Sequence, residues 1–161
     1  MYKVGDLVVY STHGVCEVMY IGPIDLPMID KNKKYYTLAP IAKKEQVVYA
    51  SVENESSVMR SIISKKEAEA LLKKIPSIKP AVINNDKERE NTYKTIVRSG
   101  DLEKIIALMK TLNGRREDRA NAGKKVTVLD DKYYKQAENQ IIGELSVVLS
   151  LDKSEIAEYF E

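Results

Sequence analysis

The period of the hydrophobic residues changes once along the chain, near Ile63. Between Val4 and Ile63 the apolar and β-branched residues come in short runs broken by turn formers: DLVVY, GVCEVMYI, KYYTLAPI, EQVVYASV and a weaker SSVMRSI. Runs of this length predict a handful of antiparallel strands. Pro23, Pro27, Asp30 and Asn32 make GPIDLPMIDKNKK a loop longer than a tight hairpin, while IAKKE after Pro40 is a short connection.

Beyond Ile63 the period is helical. Ser64 with Glu67 has the spacing of a capping box ahead of KKEAEALLKK, and Pro76 ends that helix. PSIKPAVINN, with two prolines, reads as a linker that restricts the geometry between modules without fixing it. DKERENTYKTIVRSG then predicts a helix stopping at Gly100, and Asp101 caps DLEKIIALMKTLNG, whose apolar face ends before Asn113 and Gly114. These two helices are expected to pair as a hairpin. A longer helix from about Thr127 to Leu149 puts Tyr134, Ala137, Ile141, Leu145 and Val148 on one stripe, and Asp152 with Glu155 opens a short final helix. The expected fold class is α+β: a small Tudor/SH3-like β-barrel over residues 1–63, then an all-α domain of about five helices over residues 64–161. Barrels of that kind bind far more often than they catalyse.

Composition narrows the classes. The 161 residues suffice for one domain or two small ones, and Lys and Arg nearly balance Asp and Glu, 26 against 24, so net charge alone implies no polyanionic partner. One cysteine forms no intramolecular disulfide, the start MYKVGD lacks a secretory pattern, and no apolar run has the length of a membrane span. A cytoplasmic protein is expected.

Candidate chemistry is sparse. His13 and Cys16, the only residues of their types, lie three apart in VVYSTHGVCEV. They cannot supply the four nitrogen or sulfur ligands of a structural zinc site. A Cys-His nucleophilic pair needs a third group to orient the histidine, and none stands at a recognisable spacing. The simpler reading is a turn built on Gly14, with Cys16 as a small strand residue. Phosphate-binding GxxxxGK[ST], GxGxxG and GxSxG patterns are absent, and Asp130 with Asp131 sits at a helix start, where acids favour the dipole. No catalytic residue, metal or cofactor is expected. What remains is the segment from Lys110 to Lys135, with eight Lys or Arg against four acids. GRREDRANAGKK is expected in a connection between helices, where its cations either meet a phosphate backbone or decorate a solvated loop.

VGDLVVYSTHGVCEV resembles the start of the CarD family of transcription regulators, also called CdnL-like, whose first module is similar to the RNA-polymerase-interacting domain of transcription-repair coupling factor. The YYTL strand, VENES, SGDL, RREDR, AGKK and IIGELS follow in the order of that family's landmarks. The resemblance implies a bacterial, non-enzymatic regulator. Its Tudor-like module would dock on the RNA polymerase β subunit, and its helical module would touch promoter DNA at the upstream edge of the bubble, modulating open-complex stability.

Carried over by position, the resemblance makes Tyr36, Thr37, Val48 and Tyr49 the candidate docking strands, with Tyr49 where well-known members carry an arginine. The same residues read from pattern alone are ordinary sheet residues. Several members insert a tryptophan between base steps at the start of the first long helix after the linker; this chain has none, and ungapped counting from SGD puts Asp86 there. A neighbour such as Ile83 or Tyr93 takes over the wedge, or DNA is met by cations alone, with Arg89, Arg115, Arg116, Arg119, Lys124 and Lys125 as candidates for sequence-tolerant, salt-sensitive binding. An alternative is a polymerase-binding module that has lost DNA contact. A monomer is the expected state.

Overall fold

The computed structural model describes residues 1–10 and 13–160, and its contacts divide the chain into two compact units, Met1–Ile62 and Ile63–Glu161. In the first, β1 (Leu7–Tyr10), β2 (Gly14–Gly22), β3 (Tyr35–Pro40), β4 (Val48–Ser51) and β5 (Met59–Ser61) form one antiparallel sheet in the order β4-β3-β2-β1-β5. A one-turn helix, α1 (Glu55–Val58), leads into β5. Among the described residues no ladder joins β4 to β5, so the sheet is open instead of the closed barrel expected from five short strands.

Alternation sets the core of this unit. Val8, Cys16, Val18, Tyr36, Leu38, Ala50 and Met59 point to one face and are buried there. The alternation breaks once, in β2: the register against β3 shifts between Val18 and Tyr20. One extra residue in a strand reverses the facing of those that follow.

The second unit holds α2 (Lys65–Lys74), α3 (Arg89–Arg98), α4 (Leu102–Asn121), α5 (Val128–Leu149) and α6 (Lys153–Ala157). The capping box at Ser64 forms in full: its hydroxyl accepts from the Glu67 N–H at 3.1 Å while the Glu67 carboxylate accepts from the Ser64 N–H at 2.7 Å. Asp101 and Thr127 cap α4 and α5 the same way, accepting from the Lys104 and Asp130 N–H groups. Two apolar clusters share α4 and α5. One gathers Leu71, Leu72, Ile105, Ile106, Met109, Ile141, Leu145 and Ile156; the other joins α3 to them through Tyr93, Val97, Leu108, Leu112 and Tyr133.

α4 overruns the stop expected at Gly114 by seven residues, ending at Asn121. A mid-helix glycine costs about 1 kcal/mol relative to alanine, and the Arg, Glu and Ala residues after it are good helix formers. The stop is Gly123, at φ 73°, where the Lys124 N–H reaches back to the Arg119 carbonyl at 2.7 Å. Arg115, Arg116 and Arg119 therefore ride on a helix, not on the expected loop.

Candidate functional site

The four docking candidates separate by facing. Tyr36 is 0% exposed, its ring in the core and its hydroxyl donating to Glu55. Its side chain therefore offers no exposed surface, in contrast to Tyr49. Val48 packs partly against the same core, so only its backbone lies on the edge. Thr37 and Tyr49 are cross-strand partners on the outer face, and Tyr49 is exposed. Among the described residues β4 has β3 as its one neighbour in the sheet, and its residues Val48, Tyr49, Ala50 and Ser51 include none of the charged or proline residues that blunt a sheet edge. Continuing across β3, Thr37 pairs with Tyr20, which alternation along β2 assigns to the core. The bulge turns Tyr20 outward beside Met19, and no sequence signal marks it.

His13 and Cys16 do not meet. Of the STHG turn, Ser11 and Thr12 lie outside the described residues; Gly14 adopts φ 74°, which favours glycine. His13 is exposed and stacks on Tyr10 with ring centroids 5.4 Å apart. Cys16 is fully buried, and burial pushes its thiol up to about 11. With its pKa raised, the thiol stays protonated and poorly nucleophilic throughout the neutral range. We predict that iodoacetamide at pH 8 labels Cys16 in the folded chain at least about tenfold more slowly than in urea-unfolded chain. Equal rates would mean that Cys16 is reached without unfolding.

In the helical unit the cationic candidates fall into two groups. Arg89 and Arg115 converge on a buried network. Asp130, 1% exposed at the start of α5, accepts from the Tyr93 hydroxyl at 2.8 Å and from Arg115 Nε at 2.8 Å. Arg89 in turn donates to the Tyr93 hydroxyl at 3.1 Å and through Nη2 to Asp86 at 2.7 Å. Hydrogen bonding to Arg89 and its charge hold the Asp86 carboxyl below the ordinary aspartate value, with Arg115 adding to the effect. Asp130 is thus more than the helix-start acid its position suggests: it ties α3 and α4 to α5.

The second group lies along the end of α4 and the turn after it. The Arg116 guanidinium sits 4.7 Å from the Tyr134 ring centroid and 3.6 Å from Asp131, and Arg119 Nε donates to the Lys125 carbonyl at 2.7 Å. The side chains of Lys124 and Lys125 are exposed and have no hydrogen-bonding or ionic partner among the described residues. Lys132, absent from the sequence-derived set, stands over the Tyr133 ring at 5.3 Å.

The wedge candidates resolve as well. Asp86 opens a single 3₁₀ turn before α3, with its side chain 88% exposed. Tyr93 is fully buried and Ile83 packs against the same cluster, so neither is free to enter a base step.

Comparison with known families accounts for nearly the whole chain. Residues 2–63 match the CarD-like/TRCF RID domain, and residues 69–161 match the CarD C-terminal domain. A search of curated proteins found no match. The two matches fall on the two compact units in turn, the first on the sheet with the open β4 edge and the second on the helices joined through Asp130. The chain belongs to the CarD family, non-enzymatic, transcription-associated proteins that interact with RNA polymerase.

Proposed function

We propose that this chain regulates transcription by docking on the β subunit of RNA polymerase through β4, while its helical unit meets promoter DNA at the upstream edge of the bubble and modulates the lifetime of the open complex. In this reading the sheet unit is a Tudor-like module, and the protein acts in the cytoplasm as a monomer. The observation that carries it is the undefended edge: among the described residues β4 ladders with β3 alone and ends the sheet, with Thr37 and Tyr49 on the adjoining face. A partner strand added there gains main-chain hydrogen bonds, and Tyr49 supplies aromatic area where a relative's arginine would supply charge. The DNA contact is sequence-tolerant and rests on Lys124 and Lys125, with Arg116 and Arg119 beside them. It is weak alone and becomes effective once docking holds it close.

Calorimetric titration of the protein into a β-lobe fragment of its own polymerase tests the docking. Tyr49→Ala is expected to weaken binding by at least about tenfold, some 1.4 kcal/mol, with the sheet unit still folded. Absence of binding by the unsubstituted chain would refute the docking. A second reading, polymerase binding without DNA contact, is favoured by the commitment of Arg89 and Arg115 to internal carboxylates and by the exposed Asp86 where a wedge would stand. A gel-shift assay on bubble-containing duplex separates the two.

A further inference from the structure

The loop between β2 and β3 holds a methionine where turn geometry asks for glycine. Leu26, Pro27, Met28 and Ile29 form a four-residue turn closed by the Ile29 N–H, which donates to the Leu26 carbonyl at 3.4 Å. Proline in second place and a positive φ in third, 66° at Met28, make the turn type II. That third position is ordinarily glycine or asparagine, because a larger side chain brings its Cβ against the following carbonyl oxygen. Nothing within the fold offsets this crowding. The Met28 side chain is 105% exposed, and among the described residues no apolar cluster includes it. The neighbouring aliphatic residues Ile24, Leu26 and Ile29 are half-buried, so burial accounts for them and not for Met28.

The loop fixes where this side chain stands. Across the base of the turn Lys31 Nζ meets the Asp25 carboxylate at 2.6 Å, and the Asn32 N–H donates to the Asp30 carboxylate at 2.9 Å. The end of the loop is fastened to the chain that leaves β4: the Lys34 carbonyl accepts from the Val52 N–H at 3.1 Å, and Lys33 Nζ pairs with Glu53 at 2.9 Å. The turn thus leaves the sheet at the end where Gly22, Tyr35 and Ser51 pair in one row, beside the close of β4. Exposed ion pairs of this kind add little stability. They do set the chemistry of the tip, since Lys31 and Lys33 already face carboxylates and what stands clear of them is a thioether.

We propose that Met28 is an apolar anchor whose side chain enters a small apolar pocket of RNA polymerase, beside the segment that pairs with β4. This rests on the docking reading above and adds a second contact of different chemistry. The anchoring group belongs to this chain, so its chemistry is fixed: an unbranched, uncharged, polarisable side chain gains most from apolar and aromatic walls. A phosphate backbone gives it no partner. A membrane surface binds in proportion to the apolar area buried, and here one side chain stands alone. The proline-stiffened turn holds that side chain clear of the loop before a partner arrives, so little freedom is lost on binding.

Titration of the full chain into the β-lobe fragment tests the anchor. Met28→Gly and Met28→Ala are each expected to weaken binding at least about tenfold. Met28→Gln, similar in length but polar, should weaken it as much, and Met28→Leu by less than about threefold. Thermal unfolding separates an anchor from a packing residue: Met28→Gly should melt no lower than the unsubstituted chain, since glycine takes this φ without crowding. A melting point lower by more than about 5 °C would mean that the side chain supports the fold, which overturns the anchor. Val82→Gln removes another exposed apolar side chain, from the helical unit, and should leave affinity unchanged. An equal loss there would reduce the effect of Met28 to unspecific apolar contact and overturn the anchor as well. Undiminished binding by Met28→Gln would exclude an apolar pocket. If Tyr49→Ala weakens binding while Met28→Gly and Met28→Ala do not, the anchor is wrong and the edge docking stands. No binding by the unsubstituted chain overturns the docking and the anchor together.

Discussion

Asp130→Ala should lower the stability of the helical unit by about 3 kcal/mol, the largest loss expected from one substitution outside the apolar core. The carboxylate is buried and satisfied on both oxygens, by Tyr93 and by Arg115. Its removal leaves a buried hydroxyl without its acceptor and a two-thirds-buried guanidinium without its counter-charge. Each orphaned group carries its own desolvation cost. Urea unfolding followed by far-ultraviolet circular dichroism measures the loss, and labelling of Cys16 reports separately on the sheet unit, since two units need not unfold as one. Asn at the same position keeps the volume and one acceptor and should cost less. A loss below about 1 kcal/mol for alanine would show that water replaces the pair at little cost. The same geometry governs reversal at Arg115: glutamate there would face Asp130, so Arg115→Glu would fail through folding before it said anything about DNA.

That network marks the limit of what a sequence discloses. The helix caps at Ser64 and Asp101 are local, each a polar side chain reaching three residues on, and they were legible as such; Thr127, read only as the start of a helix, caps α5 in the same local way. Strand positions in the sheet unit followed from short apolar and β-branched runs broken by turn formers. Two features depended on long-range structure. Gly114 has the look of a stop, but a glycine ends a helix only where the chain turns into the left-handed region, and here that happens at Gly123. Tyr20 and Tyr36 are the same residue type in similar strand contexts, yet the bulge at Met19 sends one outward while the other fills the core. For the cationic set, counting charges along GRREDRANAGKK could not reveal that Arg115 is neutralised by a carboxylate on α5 or that Arg119 closes the turn onto the Lys125 carbonyl. The local excess of cations was legible; its availability was not.

Availability is what the DNA half of the proposed function turns on. Lys124→Glu with Lys125→Glu is expected to lower affinity for a bubble-containing promoter duplex about 10- to 100-fold at roughly 50 mM salt and to flatten the slope of log affinity against log salt by about 2, one phosphate contact per lysine. Neither side chain has an internal partner among the described residues, so the substitution removes no ion pair and the fold is retained. Arg116→Gln should do less, because that guanidinium already divides its charge between Asp131 and the Tyr134 ring. The direction of the salt dependence matters as much as the size of the loss. Counterion release is the signature of phosphate contacts, and Asp86 is chemically unsuited to a wedge, since a short carboxylate, an anion at neutral pH like any exposed aspartate, opposes approach to the backbone. Unchanged affinity and slope in the double variant would remove the exposed lysines from the DNA contact. If the unsubstituted chain also failed to shift the duplex, the second reading would take over: a polymerase-docking protein whose arginines hold its own helices together.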